Sequence, residues 1–192
     1  MPQLPLPQPL LLRRLATAMV VTQSGIVVTG GAVRLTGSGL GCSTWPECTP
    51  GSYTPTPSQP EAPIHAWIEF GNRLLTFVLL LTALVLFAAI IRFKARNLRF
   101  LGALQILGIF AQVILGGITV LTGLNPATVA GHFLLSIVII ASALSLRQRA
   151  HGITPSATRL MPLTVLLGRI LLALTLLVIV RSEEHTSELQ SH

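Results

Sequence analysis

A short polar group opens one of the apolar segments of the chain. It contains four side chains that can ionise or donate and accept hydrogen bonds: His65, Glu69, Asn72 and Arg73. At about 100° per residue, the first three share one stripe of a helix, and Arg73 follows Glu69 at the i,i+4 spacing of an ion pair. Ionisable groups in an apolar segment are costly, which makes these residues candidates for a functional site. A pair that only neutralises two charges is the alternative.

A single histidine lies well inside an apolar segment. His132 comes about two helical turns after Pro126, at a depth similar to that of Glu69 when both are counted from the same side. Neutral imidazole is a common ligand of iron, including heme iron. A histidine that only hydrogen-bonds to a neighbouring helix is the other interpretation, and the spacing favours neither.

Two cysteines, Cys42 and Cys48, lie in a loop that is rich in Gly, Pro, Ser and Thr. In an oxidising compartment such a pair can form a disulfide, either structural or reducible. A zinc site would need further ligands. The string GSGLG at residues 37–41 lacks the strand and helix that surround a dinucleotide-binding loop.

Polar and small residues recur inside other apolar segments. One stripe carries Gln105, Gln112, Gly116 and Thr119, and an earlier segment carries Gln23. Small residues let helices approach closely, and amides hydrogen-bond between helices. Helix packing is therefore the first interpretation of these residues, and the lining of a pocket is the second.

The elements that must position these groups are membrane spans. The chain has 192 residues, of which 51% are hydrophobic and 10% charged. A soluble domain has about a quarter charged residues, so a soluble enzyme and a disordered chain are both disfavoured. A span needs about 20 mostly apolar residues. Five segments qualify: roughly 15–35, 66–91, 100–121, 126–146 and 160–180. The predicted fold is an all-α polytopic membrane protein with a four-helix transmembrane bundle and a fifth transmembrane helix.

Basic residues predict the orientation in the cell membrane. Nine of the 13 Lys and Arg residues fall before span one or in the links between spans two and three and spans four and five: Arg13, Arg14, Arg92, Lys94, Arg96, Arg99, Arg147, Arg149 and Arg159. Cytoplasmic loops carry such an excess of positive charge. We therefore expect a cytoplasmic N-terminus and an extracytoplasmic cysteine loop. The net charge of +7 needs no nucleic acid to explain it.

The predicted organisation has five parts. Residues 1–12 form a disordered N-terminal arm, and residues 13–146 form the four-helix half with its outer loop at 36–64. Residues 147–159 are a basic cytoplasmic loop, and residues 160–181 are the fifth transmembrane helix. The string SEEHTSELQSH at 182–192 resembles a translated sequencing adapter, which predicts a non-native tail.

Three sequence blocks and the spacing of the spans resemble the heme A synthase family, membrane enzymes that convert heme O to heme A for cytochrome oxidase. The blocks are GGAVRLTGSGLGCSTWPEC at 30–48, HAWIEFGNRLLTF at 65–77 and LGGITVLTGLNPATVAGHFLLS at 115–136. The resemblance covers about residues 13–146. The second block is similar to that of actinobacterial members.

The resemblance implies a fold of eight spans in two similar four-helix halves. This chain would be a truncated form, with the first half and one further span. The second half, which is expected to hold heme b between two histidines, would be absent. The implied reaction oxidises a ring methyl of heme O to a formyl group through successive hydroxylations and loss of water from a gem-diol.

The resemblance also implies roles for residues. Glu69 matches a glutamate that is needed for activity, and His132 matches a histidine of the heme site and would bind its iron. Cys42 and Cys48 match the outer-loop cysteine pair of the family.

Three further residues are assigned to the heme site. Asn72 stands where many members have a second histidine. Either Asn72 or His65, which lies about 10 Å further along the helix axis, is the candidate to replace that ligand. Arg73 is a candidate to pair with the heme propionates, which are carboxylates.

The implied partners are heme O as substrate, heme O synthase and cytochrome c oxidase in the same pathway, and the lipid bilayer; a homo-oligomer stays open. Two other functions compete with the enzyme. A heme-binding membrane electron carrier would need two facing histidines buried in spans. A non-catalytic oxidase assembly protein would use its polar stripes only for packing.

Overall fold

The computed structural model describes residues 7–57 and 63–153, with five isolated positions between 166 and 177. It contains four α-helices: α1 (Leu10–Leu35), α2 (Pro63–Arg92), α3 (Arg99–Leu121) and α4 (Pro126–Ala150). Each is long and apolar enough to cross a membrane, and no strand occurs in the described ranges. The first four predicted spans are thus confirmed. Apart from those isolated positions, the predicted fifth span (160–181) lies outside the described residues, as does the tail at 182–192.

Helix α1 begins at Leu10, three residues before the predicted start of the four-helix half at residue 13. The earlier start has a physical reason, because Leu12 is fully buried and continues the apolar face of Ala16 and Met19. The backbone N–H of Gln8 also donates to the carbonyl of Ala150 at 2.9 Å. This contact holds the start of α1 beside the end of α4.

The four helices form an antiparallel ring in chain order. Contacts join α1 to α2, α2 to α3, α3 to α4 and α4 back to α1. No Cα atoms approach within 8 Å across either diagonal of these described helices. We call the end with the 36–57 loop and the 122–125 turn the loop end. The opposite end, where α1 begins and α4 finishes, is the basic end.

The apolar core lies in the half of the bundle next to the basic end. Its members are fully or almost fully buried: Leu12, Ala16, Met19, Leu79, Ala83, Leu86, Ile90, Ala95, Leu98, Leu101, Ile109, Ala143, Leu146 and Ala150. Towards the loop end, residues 24–35 of α1 and 126–138 of α4 include no buried side chain. We call these two stretches, with 63–78 of α2 and 112–121 of α3, the loop half. The bundle is therefore tightly packed at one end and much less so at the other.

A polar network crosses the bundle between its two halves. Nε2 of Gln23 donates to Oε1 of Gln105 at 3.2 Å, and Nε2 of Gln105 donates to Ser142 Oγ and to the Ile139 carbonyl. Gln23, Gln105 and Ser142 are all buried. These bonds connect three helices, as the packing interpretation of Gln105 predicted.

A tight turn sets the start of α4. Gly123 and Leu124 both have positive φ, and Oδ1 of Asn125 accepts a hydrogen bond from the N–H of Ala127 at 3.0 Å. Asparagine before a proline in the first helical position is a typical helix start. The turn packs on the loop, since a Cβ at Gly39 would lie 3.0 Å from Leu124 Cδ1. It thereby fixes the depth at which His132 enters the bundle.

Candidate functional site

The 36–57 loop folds back on the start of α2. The structure pairs Cys42 with Cys48, with their Cα atoms 4.3 Å apart, and both residues are fully buried. A Cβ at Gly41 would lie 2.4 Å from the carbonyl oxygen of His65, so the backbones of loop and helix touch here. Only glycine allows this approach.

The carboxylate of Glu69 joins the loop to α2. Oε2 of Glu69 accepts the backbone N–H of Cys42 at 2.8 Å, and Oε1 forms an ion pair with Arg73 at 2.6 Å. Glu69 is only 6% exposed. The predicted Glu69–Arg73 pair is confirmed, and the bond to the cysteine loop is an addition that the spacing did not predict.

The guanidinium of Arg73 uses its whole donor set within the protein. Nε and Nη2 donate to Oε1 of Glu69, Nη1 donates to the carbonyls of Thr44 and Glu47, and Nη2 also donates to the carbonyl of Cys42. Arginine has five N–H donors, and five bonds occupy them. All five N–H groups are bonded within the protein in this arrangement, and the pairing of Arg73 with a propionate stays a prediction.

His65 and Asn72 both bond to neighbours within the protein. Nδ1 of His65 lies 2.8 Å from Ser38 Oγ in the loop. Thr29 of α1 donates to Oδ1 of Asn72 at 2.7 Å. No hydrogen bond joins either residue to His132 in the described ranges. The two candidates for a second axial ligand are therefore held by α1 and the loop.

The ring of His132 packs on the backbone of α3. A Cβ at Gly116 would lie 3.2 Å from Cε1 of His132. Nδ1 of His132 is buried without a hydrogen-bond partner in the described part of the chain. Gln112 instead donates to the backbone carbonyl of His132 at 3.0 Å, and its own Oε1 is also buried and unpartnered. A buried nitrogen without a partner is unusual and needs an explanation.

The structure places all these residues at the loop end but on different sides of it. Glu69, Arg73 and the cysteine pair are in direct contact, whereas His132 lies on the helix diagonally opposite α2. No group of three or more His, Cys, Asp or Glu residues forms a metal site within the described ranges. A heme needs only one imidazole from the chain to hold it, and the unpartnered ring of His132 fits that requirement.

One part of the site escaped the sequence analysis. The indole of Trp45 lies against Gly117, where a Cβ would be 2.6 Å from Cδ2 of the ring. Tryptophan near a membrane surface is ordinarily interpreted as an interfacial anchor. The two adjacent glycines, Gly116 and Gly117, could have indicated this contact, because they leave room for two rings against one helix.

A further histidine belongs to the basic end. Nδ1 of His151 accepts a hydrogen bond from Nε of Arg13 at 3.3 Å. Burial, followed by the positive charges of Arg13 and Arg147, lowers the pKa of His151 below its usual value. It follows that the neutral form is favoured here. His151 follows the end of α4 at the basic end, the opposite end of the bundle from the loop. It therefore has no part in the loop-end site.

These features define a class of protein. It is a multi-pass helical membrane protein with a buried carboxylate and an unpartnered histidine at one end of a four-helix bundle. The family follows from comparison with known proteins. Residues 13–181 match the model of the cytochrome oxidase assembly protein family, and the chain belongs to that family.

Curated relatives carry a more specific name. The heme A synthase of Bacillus pumilus is 36% identical over 142 residues, which are 70% of this chain and 44% of that protein. The heme A synthase of Lysinibacillus sphaericus is 36% identical over 138 residues, which are 70% of this chain and 43% of that protein. This chain therefore spans less than half the length of these relatives. No solved structure matches it.

Proposed function

We propose that this chain carries the heme O site of a heme A synthase, the enzyme that oxidises a ring methyl of heme O to the formyl group of heme A. The observation that supports this most is the buried, unpartnered Nδ1 of His132. It lies in the half of the bundle where α1 and α4 bury no side chain. A tetrapyrrole is large, flat and mostly apolar, and such ligands are held between the helices of bundles.

In this proposal His132 holds the iron of the substrate from α4. The iron supplies the redox chemistry when the substrate is bound. Gly116 lets the imidazole lie close to α3, and Nε2 of Gln112 donates to the backbone carbonyl of His132 at 3.0 Å. The first contact limits where the ring can lie, and the second holds the backbone that carries it.

Glu69 is the proposed catalytic carboxylate. The carboxylate is buried, and its bonds to Cys42 and Arg73 hold it in one orientation. Arg73 also bonds to the carbonyl of Cys42 and so attaches the carboxylate to the loop. Because α2 and α4 are diagonal partners, Glu69 and His132 would approach the substrate from opposite sides.

The remaining expectations about the whole protein are part of the same proposal. The activity would serve cytochrome c oxidase biogenesis after heme O synthase has supplied the substrate. Heme b would belong to the half of the relatives that this chain does not span. The basic end would face the cytoplasm and the cysteine loop the outside of the cell membrane.

A pigment assay tests the proposal in cells that make heme O. His132→Ala should remove the Soret absorbance of the purified chain loaded with heme O, whereas Glu69→Gln should keep that absorbance and abolish heme A formation. An unchanged Soret band in His132→Ala would refute ligation. Unchanged heme A in Glu69→Gln would refute the catalytic role.

A non-catalytic oxidase assembly protein is the second candidate. It is favoured by one observation, which is that Glu69 and Arg73 together make an anchor for the loop. In that case Glu69→Gln would loosen the loop without changing the heme content. The electron-carrier alternative receives less support, because Asn72 and His65 bond to Thr29 and Ser38.

A further inference from the structure

We propose that Trp45 is a substrate-contacting residue whose indole forms the loop-end wall of the tetrapyrrole site beside His132. The inference rests on the proposed function and names a residue that the function alone does not require. It assigns the cysteine loop a part in binding the flat macrocycle.

The first observation is that the indole packs directly against the backbone of α3. A Cβ at Gly117 would lie 2.6 Å from Cδ2, 2.7 Å from Cε2 and 3.0 Å from Cγ of Trp45. Real Cβ atoms do not approach ring atoms so closely, so the ring occupies the volume that any other residue would fill. Gly117 itself is buried. The indole is thus packed into the bundle at this position.

The second observation is that Gly116, the residue before Gly117, leaves room for the ring of His132 in the same way. A Cβ at Gly116 would lie 3.2 Å from Cε1 of the imidazole. Adjacent helical positions are about 100° apart and about 1.5 Å apart along the axis. The indole comes from the loop and the imidazole from α4, and the two rings reach α3 at consecutive residues. The imidazole that would hold the ligand and the indole are therefore neighbours along α3.

The third observation is the way the loop is held. Arg73 donates to the carbonyls of Thr44 and Glu47, which flank Trp45 in sequence. The Cys42–Cys48 pair closes the loop around the same residues. The direction of the indole is therefore set by α2 and the loop before any ligand binds, as expected for a preorganised wall.

The exposure of the indole supports a contact role over plain burial. Trp45 stays 37% exposed although part of its ring lies on Gly117. An indole that stays accessible can stack with a macrocycle. Trp67 is the contrast, since it is 57% exposed and makes an edge contact with Phe70, as expected of a ring at a membrane surface.

A double-mutant cycle with haemin as the probe tests the inference on the full chain in nanodiscs. Gly117→Ala and Trp45→Leu should each weaken haemin binding by up to about tenfold, because each removes an aromatic contact. In the Trp45→Leu background, Gly117→Ala should add little, because the clash is gone. Gly25→Ala is the matched control, since nothing lies within 4 Å of a Cβ there.

The aromatic variant separates contact from folding. Trp45→Phe should recover most of the affinity and the Soret maximum, whereas Trp45→Leu, which keeps an apolar side chain, should not. The inference is overturned if Trp45→Leu binds haemin as the unaltered chain does, or if Gly117→Ala has its full effect in both backgrounds. If His132→Ala also leaves binding unchanged, the proposed function fails and not the role of Trp45 alone.

Discussion

Three hydrogen bonds from one guanidinium attach the cysteine loop to α2, and two more join that guanidinium to Glu69. Arg73 reaches Glu69 on its own helix and three carbonyls in the loop. The planar fork of arginine allows this, whereas lysine offers one point charge with three donors. An ion pair on an exposed surface contributes little to stability. The Glu69–Arg73 pair can anchor the loop because Glu69 is buried.

Arg73→Lys should therefore loosen the loop. At least two of the five bonds are lost, and the loop should open about thirtyfold more often, from a net contribution of about 1 kcal/mol per bond. The rate at which a mild thiol reductant opens the Cys42–Cys48 pair, followed by maleimide labelling, measures this opening. Arg92→Lys is the control, because Arg92 is exposed at the other end of α2. Equal labelling rates in the two variants would contradict the anchoring role.

Some residue-level features could be predicted from the sequence and others could not. The Glu69–Arg73 pair followed from spacing, since i,i+4 neighbours on a helix meet whatever surrounds them. The bonds from Arg73 to Thr44 and Glu47 depend on the path of a loop without periodicity. The contact between Trp45 and Gly117 joins residues that are far apart in sequence, and their spacing cannot predict such a contact.

At the scale of the elements, apolar length predicted the four helices that the structure describes, because lipid offers the backbone no hydrogen-bond partners. The same pattern placed the start of α1 too late. The run 10–12 is apolar but short, and arginines follow it directly at positions 13 and 14. Burial of Leu12 against the other helices, a tertiary effect, extends the helix to Leu10.

The network around Gln105 connects three of these helices. Gln105→Leu should leave the amide of Gln23 without its acceptor in the bundle and destabilise the helical fold by about 1–2 kcal/mol. Thermal unfolding in detergent, followed by circular dichroism, measures the loss. The double variant Gln23→Leu/Gln105→Leu should be more stable than the single one, since it leaves fewer polar groups unpaired. Gln148→Leu, at an exposed position of α4, should cost nothing measurable.

That prediction has a definite contrary outcome. If the double variant loses about the sum of the two single losses, the two amides act independently and the bond between them contributes nothing. The 3.2 Å contact between Gln23 and Gln105 would then be incidental to the stability of the bundle.

On the scale of the whole molecule, packing and charge are both asymmetric. The apolar core lies near the basic end, which also carries the basic residues of the links between helices in the described ranges. The carboxylates Glu47 and Glu69, in contrast, lie near the loop end. Hydropathy alone did not predict the packing asymmetry, because lipid-facing and core-facing leucines look alike in sequence. The half next to the basic end contains the apolar core, and the loop half contains every residue of the proposed heme O site except those of the cysteine loop.

This division predicts where a ligand should change the dynamics of the chain. Haemin that binds at His132 stabilises only the states in which its site is formed. Amide hydrogen exchange in nanodiscs should therefore slow in residues 24–35 of α1 and 126–138 of α4, where no side chain is buried. Residues 79–90 of α2, which contribute Leu79, Leu86 and Ile90 to the core, should exchange as slowly without haemin as with it. His132→Ala should abolish the difference. Protection that is spread evenly over all four helices, or centred on the basic end, would show that the less densely packed half is not where the tetrapyrrole binds.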